Sequence, residues 1–316
     1  MLVKDEEFIK RQSKTPYFEV LKRYVDNNVL TFHCPGHQGG KGAIAAFFEF
    51  LGRNAFAADI TQVFGMDDIH QPKTIVKEAQ KLAAEIYEAD ASFFLINGSS
   101  SGNQAMIMSV CKPNEKLILP RNSHKSATAA MILSGAVPAY MIPEFDNEMH
   151  VDHTVSPVEV ERALNEHSDA KAVMLISPTY YGATSDLKKN IEIIHKHGKI
   201  AMVDEAWGPH LGFHKDLPMS AMQAGADICI NSTHKLISGF SQASMLHVKG
   251  DKVDRGRLQS ALRIFLSTSP NSILIASLDT ARMQMALEGE EILDRTIKIT
   301  NLARERINSI KGMKTF

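Results

Sequence analysis

From about residue 92 onward, short apolar runs and helical spacings take turns along the chain, and this alternation restricts the fold more than any other feature. Apolar runs at 92–97, 116–119, 137–142, 170–177, 200–204 and 226–231 have the length and composition of buried strands. Helical patterns at 101–111, 124–134, 157–167 and 187–197, with a shorter one near 219–224, lie between them. Strands buried on both faces suit a parallel sheet, because each crossover helix covers a face. The expected class is therefore α/β, a mostly parallel sheet with helices on both faces. A further run at 244–248 follows 226–231 closely and is expected to pair antiparallel with its neighbour.

The flanks are less regular. Amphipathic spacing at 16–27 precedes a Gly-rich turn, His33-Cys-Pro-Gly-His-Gln-Gly-Gly40, and helical spacing returns at 42–51 and 74–87. Residues 271–310 read as one or two long helices, interrupted near Gly289, since glycine weakens a helix interior. We expect 1–70 to be an N-terminal segment and 71–316 a major domain ending in long helices. The last residues, Lys311-Gly-Met-Lys-Thr-Phe316, resemble a turn entering a new strand, as if a following domain were missing.

Composition excludes several classes. A net charge of −1 provides no global field for nucleic acid or an anionic membrane. Cys34, Cys111 and Cys229 are too few and too scattered for a disulfide framework or a zinc pattern, which fits a reducing cytoplasm. The first residues lack an apolar signal segment. No apolar run approaches the ~18 residues that span a bilayer.

Ligands of open α/β sheets bind beyond the carboxyl ends of the strands. The residues there are Gly98-Ser-Ser-Ser-Gly102, Arg121-Asn-Ser-His124, Pro178-Thr-Tyr-Tyr181, Asp204-Glu-Ala-Trp207 and Ser232-Thr-His-Lys235. The serine run reads either as a dianion cradle at a helix N-terminus or as a simple N-cap with a flexible turn. It lacks the Lys-Ser/Thr ending of a P-loop and the GxGxxG of a dinucleotide site. Asp204 ends an apolar strand, where an unpaired carboxylate is costly, so it either caps the next segment or meets a cation such as a pyridinium nitrogen. A lysine desolvated at a strand end has a lowered pKa and forms Schiff bases, which singles out Lys235. His124 is a helix-start histidine that becomes a candidate for ring stacking and proton transfer beside Asp204 and Lys235. His33 and His37 have metal-like spacing, but Pro35 and Gly36 break the helix it would need, and no metal site is expected. His167, His195 and His197 read as solvated or capping residues.

Jointly, CPGHQGG at 34–40, FFLINGSSSGNQAM at 93–106, LPRNSHKS at 119–126, VDEAWGPH at 203–210 and STHKLISGFSQASMLHV at 232–248 resemble the bacterial ornithine/lysine/arginine decarboxylases, with STSP at 267–270 a weaker match. These are fold-type-I pyridoxal phosphate enzymes. The resemblance implies that Lys235 carries pyridoxal 5'-phosphate as a Schiff base, that Asp204 partners the pyridine nitrogen, and that His124 stacks on the ring. It further implies a phosphate site of Ser100, Ser101, Ser232 and His234, with Ala206 and Trp207 packed beside the ring. Ser267 or Thr268 is implied to reach the phosphate of a partner subunit in a homodimer with shared sites. The implied reaction is decarboxylation of arginine, lysine or ornithine, and the family's carboxyl-terminal domain is missing here. Another fold-type-I activity, an aminotransferase or a lyase, shares the Asp and Lys logic, and an inactive cofactor-binding fragment is the rival from a different class.

Overall fold

The computed structural model describes residues 4–315. Helices α1 (Glu6–Gln12), α2 (Pro16–Asp26), α3 (Ala45–Leu51), α4 (Arg53–Ala58) and α5 (Ile75–Ile86) lead into the alternating region. There the order is β1 (Ala91–Leu95), α6 (Gly98–Val110), β2 (Lys116–Pro120), α7 (Lys125–Ser134) and β3 (Val137–Met141). A small hairpin, β4 (Phe145–Asp146) and β5 (Val151–Asp152), precedes α8 (Pro157–Glu166), β6 (Ala172–Ile176), α9 (Leu187–Lys196), β7 (Ile200–Asp204) and α10 (Ala221–Ala224). The chain continues through β8 (Ile228–Asn231), α11 (Thr233–Leu236), β9 (Ser244–Val248), α12 (Arg255–Phe265) and α13 (Ser272–Asn308).

Seven strands form one sheet in the order β1-β9-β8-β7-β6-β2-β3. Strands β3, β2, β6, β7 and β8 pair parallel, as the crossover pattern requires. Strand β9 is antiparallel to both β8 and β1, so it alone is reversed. The carboxyl ends of β1, β2, β6, β7 and β8 therefore share one edge. Period-two alternation divides the core. Leu117, Leu119, Met174, Met202, Ile228 and Ile230 join a cluster with residues of α5, α6 and α13. Their neighbours Ile118, Val173, Leu175, Val203 and Cys229 join another with residues of α8, α9 and α10.

Gly102 lets α6 lie directly on the sheet, because a β-carbon there would sit 2.4 Å from Ile230 Cδ1. At the other end of the chain, the interruption expected near Gly289 is absent, and α13 runs unbroken. Gly289 is buried, and its β-carbon would lie 3.0 Å from Met285 Cε and 3.5 Å from Phe213 Cβ. It serves close packing, and burial of the helix outweighs its low propensity. Helix α12, which apolar spacing did not signal, starts where the Asp254 carboxylate caps the amides of Gly256 and Arg257.

The N-terminal helices are pinned to α13. The Arg282 guanidinium, wholly buried, donates to Gln12 O at 2.6 Å and to Asp279 Oδ1 at 2.8 Å. The other Asp279 oxygen accepts from Tyr17 N at 2.9 Å and Phe18 N at 3.3 Å. Phe8, Tyr17, Leu21 and Ile60 belong to the same apolar cluster as the sheet. Among the described residues, no helix is long and apolar enough to cross a membrane. Residues 311–312 form a turn, and Phe316, where a new strand was expected to begin, lies outside the described residues.

Candidate active site

The shared strand edge opens into a cavity of ≈ 470 Å³ lined by residues of all five strand ends. Asp204 closes β7 in register between Ile176 and Ile230, which fixes its carboxylate at the floor. It is 5% exposed. Oδ1 accepts from Ala206 N at 3.1 Å and Oδ2 from Asn103 Nδ2 at 2.8 Å. Neither donor carries charge, so the anion lacks a hydrogen-bonded cation of its own.

Lys235 stands on α11, one short turn beyond β8. Its Nζ lies 4.2 Å from the centroid of the Trp207 ring, a cation–π distance. Burial holds its pKa below that of a free lysine, with Asp204 pulling the opposite way. Tyr180 meets the same indole edge-on at 5.3 Å between centroids. His124 lines the cavity from the start of α7, where its Nδ1 accepts from Ser126 N and caps the helix.

The serine run begins helix α6, whose Gly98 has φ +74°, a left-handed value that glycine adopts freely. No side chain caps this first turn, leaving amide donors where the helix meets the cavity. Ser99, Ser100, Ser232 and His234 line the cavity, and the Ser99 and Ser232 hydroxyls are hydrogen-bonded to each other. His234 Nδ1 donates to Ala243 O at 2.9 Å, which leaves Nε2 as its free nitrogen. Ser101 is not among the lining residues. Its hydroxyl turns back to Gly98 O at 2.7 Å, and Ser99 stands at the cavity instead. Ala206 and Trp207 are both in the lining. Ser267 and Thr268 are exposed outside it, although Ser267 N donates to Asn97 Oδ1 at 3.0 Å, next to the serine turn.

Sequence reasoning missed Asn103, Ser126 and Gln242. The first two are buried polar residues inside helical patterns, and only tertiary packing brings them to the site. It also missed Glu205, 1% exposed, which turns away from the cavity to accept from Ala221 N at 2.7 Å and Asn231 Nδ2 at 3.0 Å. Burial, with Asp204 adding to it, pushes its carboxyl up to about 8. His33 and His37 do not converge: His33 Nε2 meets Tyr24 Oη at 2.8 Å and His37 Nε2 meets Asp59 at 3.2 Å. Among the described residues no metal-holding cluster occurs.

A group with a dianion at one end and a protonatable ring nitrogen at the other fits this cavity. Hydroxyl and amide donors lie on the serine side, and an anion without a cation lies on the floor. Residues 15–316 match the family described as Orn/Lys/Arg decarboxylase, major domain, and the chain belongs to that family. The arginine decarboxylase of Bacillus subtilis is 43% identical over 302 residues, covering 96% of this chain and 62% of that protein. The lysine decarboxylase LdcA of Pseudomonas aeruginosa is 29% identical over 298 residues, 85% of this chain and 40% of that one. The solved structure of lysine decarboxylase LdcF from Francisella novicida superposes with TM-score 0.83 at 27% identity, covering 94% of this chain and 44% of that chain. The chain thus spans about three fifths of the length of the Bacillus relative. The fold is the major domain of fold-type-I enzymes, and pyridoxal phosphate is the cofactor.

Proposed function

We propose that this chain is the cofactor-binding part of a decarboxylase that removes the carboxyl group of a basic amino acid. Arginine is the first candidate, because the more similar relative is named for it. The observation that carries the reading is the convergence of Asp204, Lys235, His124 and the serine turn on one cavity.

Pyridoxal phosphate, when bound, supplies the electron sink for the pair left behind by departing CO₂. Ser99, Ser100, Ser232, His234 and the first amides of α6 would hold its phosphate, Ser101 contributing through the helix turn. Asp204 would pair with the ring nitrogen and keep it protonated, since a buried anion favours a proton on its partner. Ala206 and His124 would flank the ring. Lys235 would carry the cofactor and exchange it for the substrate amine, and its lowered pKa leaves more of the amine free to attack. Trp207 would hold that amine when it is released.

The reading extends to a homodimer. Ser267 and Thr268, exposed beside Asn97, are suited to reach a second copy, and Phe32, Phe50 and Phe64 are exposed apolar side chains near the N-terminus. A cytoplasmic enzyme of polyamine biosynthesis agrees with three free thiols, two of them buried. Residues 1–70 are read as an N-terminal segment and 71–316 as the major domain.

The test is direct. Purified protein with pyridoxal phosphate should show the absorption band of bound cofactor, and Lys235→Ala should lose it while keeping its fold. CO₂ release is then measured in parallel from arginine, lysine and ornithine with the complete gene product. Amino-group transfer without CO₂ would move the protein to the aminotransferase reading.

A further inference from the structure

Asn103 is 1% exposed on α6, yet its amide nitrogen serves one residue of the cavity and one buried behind it. Nδ2 donates to Asp204 Oδ2 at 2.8 Å and to Ser126 Oγ at 3.0 Å. The amide cannot be turned round, because an ionised carboxylate has no proton to give to an oxygen. Its Oδ1 is buried without a partner, so the orientation is held at the cost of an unsatisfied acceptor.

Donor counting then runs one way. Ser126 Oγ accepts from Asn103, so its own proton is free for His124 Nδ1, 2.8 Å distant. Ser126 N lies 3.2 Å from the same nitrogen, and a backbone amide can only donate. Nδ1 therefore receives two donors and carries no proton. The ring proton of neutral His124 must sit on Nε2, the nitrogen with no protein partner, on a residue that lines the cavity.

We propose that Asn103 and Ser126 are positioning residues that tie Asp204 to His124, hold the carboxylate in one orientation, and lock His124 as the Nε2–H tautomer. The cavity is thereby given an acceptor of fixed direction on its floor and a ring N–H donor on its wall. Loss of either side chain leaves the longer backbone N–H of Ser126, 3.2 Å away, as the one directed donor to Nδ1, a contact weak enough for the imidazole to exchange tautomers without touching the cofactor's attachment. The inference rests on the reading of Asp204 and His124 as cofactor-site residues, but its first test needs neither cofactor nor turnover.

Protein labelled with ¹⁵N-histidine is examined by NMR without and with pyridoxal phosphate, the His124 signals being assigned by their loss in His124→Gln. Nε2 should resonate as a protonated nitrogen and Nδ1 as an unprotonated one. Ser126→Ala, a near-isosteric change that keeps the fold, and Asn103→Ala should each give a mixture of tautomers, while Ser126→Thr keeps the single one. In the loaded enzyme both alanine variants should lower kcat about tenfold, with KM changed less. A protonated Nδ1 in the unaltered protein overturns the lock, and so does a pure Nε2–H tautomer in both alanine variants. Correct tautomers in a protein that releases no CO₂ would sink the decarboxylase reading and leave the lock standing.

Discussion

Two buried aspartates in this molecule have opposite surroundings. Asp279, on α13, is wholly buried against the guanidinium of Arg282 and two backbone amides. Asp204, at the end of β7, is nearly as buried but is met only by an uncharged amide and a backbone N–H. The first is a closed unit that joins the N-terminal helices to the body. The second has no hydrogen-bonded cation and faces the cavity, which suits it to the pairing with a bound group proposed above. A buried acid that brings its own cation serves architecture, and one that lacks a cation and faces a cavity is a candidate for function.

Removing the cation from the closed unit should have the largest effect. Arg282→Ala leaves Asp279 as an uncompensated charge and should cost about 3–5 kcal/mol in urea unfolding. Activity per folded molecule should be nearly unchanged. A loss under 1 kcal/mol would mean that water reaches the pair and the contrast is false.

Asp204→Asn should do the reverse. It keeps the shape and Ala206 contact but removes the charge that holds a ring proton. Turnover should fall more than about a hundredfold, roughly 3 kcal/mol, with cofactor still bound. Stability without cofactor should hold or rise, because an unpaired buried charge has gone. Near-normal turnover would break the assignment of Asp204 to the electron sink.

A smaller effect sharpens the comparison through a third acid. Glu205 has no cation either, and burial raises its carboxyl from 4.5 to about 8. The unfolded chain therefore ionises first, and folding loses stability as pH rises from 4.5 towards 8, by about 1.4 kcal/mol per unit at most. His247, lowered from 6.5 to about 3 by burial, acts oppositely, losing stability as pH falls below 6.5. The two slopes cancel between about 4.5 and 6.5, and only the fall remains from 6.5 to 8. In Glu205→Gln that fall should disappear from the urea midpoint measured against pH. A variant and parent with parallel profiles would show that Glu205 is ionised in the fold.

What the sequence made legible follows from the range of the forces involved. The strands could be read because each is a local run of apolar residues, and their carboxyl ends follow from the parallel order. The positions of Asp204, Lys235, His124 and the serine turn at the cavity were readable because each lies at such an end or a few residues beyond it. Asn103 was not. It looks like one more polar position on α6, and its burial depends on Gly102 letting that helix rest on Ile230. That the Ser101 hydroxyl turns back to Gly98 was not readable, because a run of three serines does not reveal which one the first helical turn directs outward. Gly289 misled for the same reason. Helix propensity is local, whereas the fit against Phe213 is made by residues far away in the chain.

The reversed strand β9 has a consequence for how the protein is made. Strand β1 touches the sheet only through β9, with Ala91 opposite Val248. Leaving the ribosome early, β1 has no partner until β9 emerges, on the order of ten seconds later at common rates of translation. The helix that begins with Gly98 and the helix that bears Lys235 are brought face to face by that same late pairing. Capture of the waiting strand and assembly of the pocket are thus one event, and a nascent chain stalled before residue 244 would have neither.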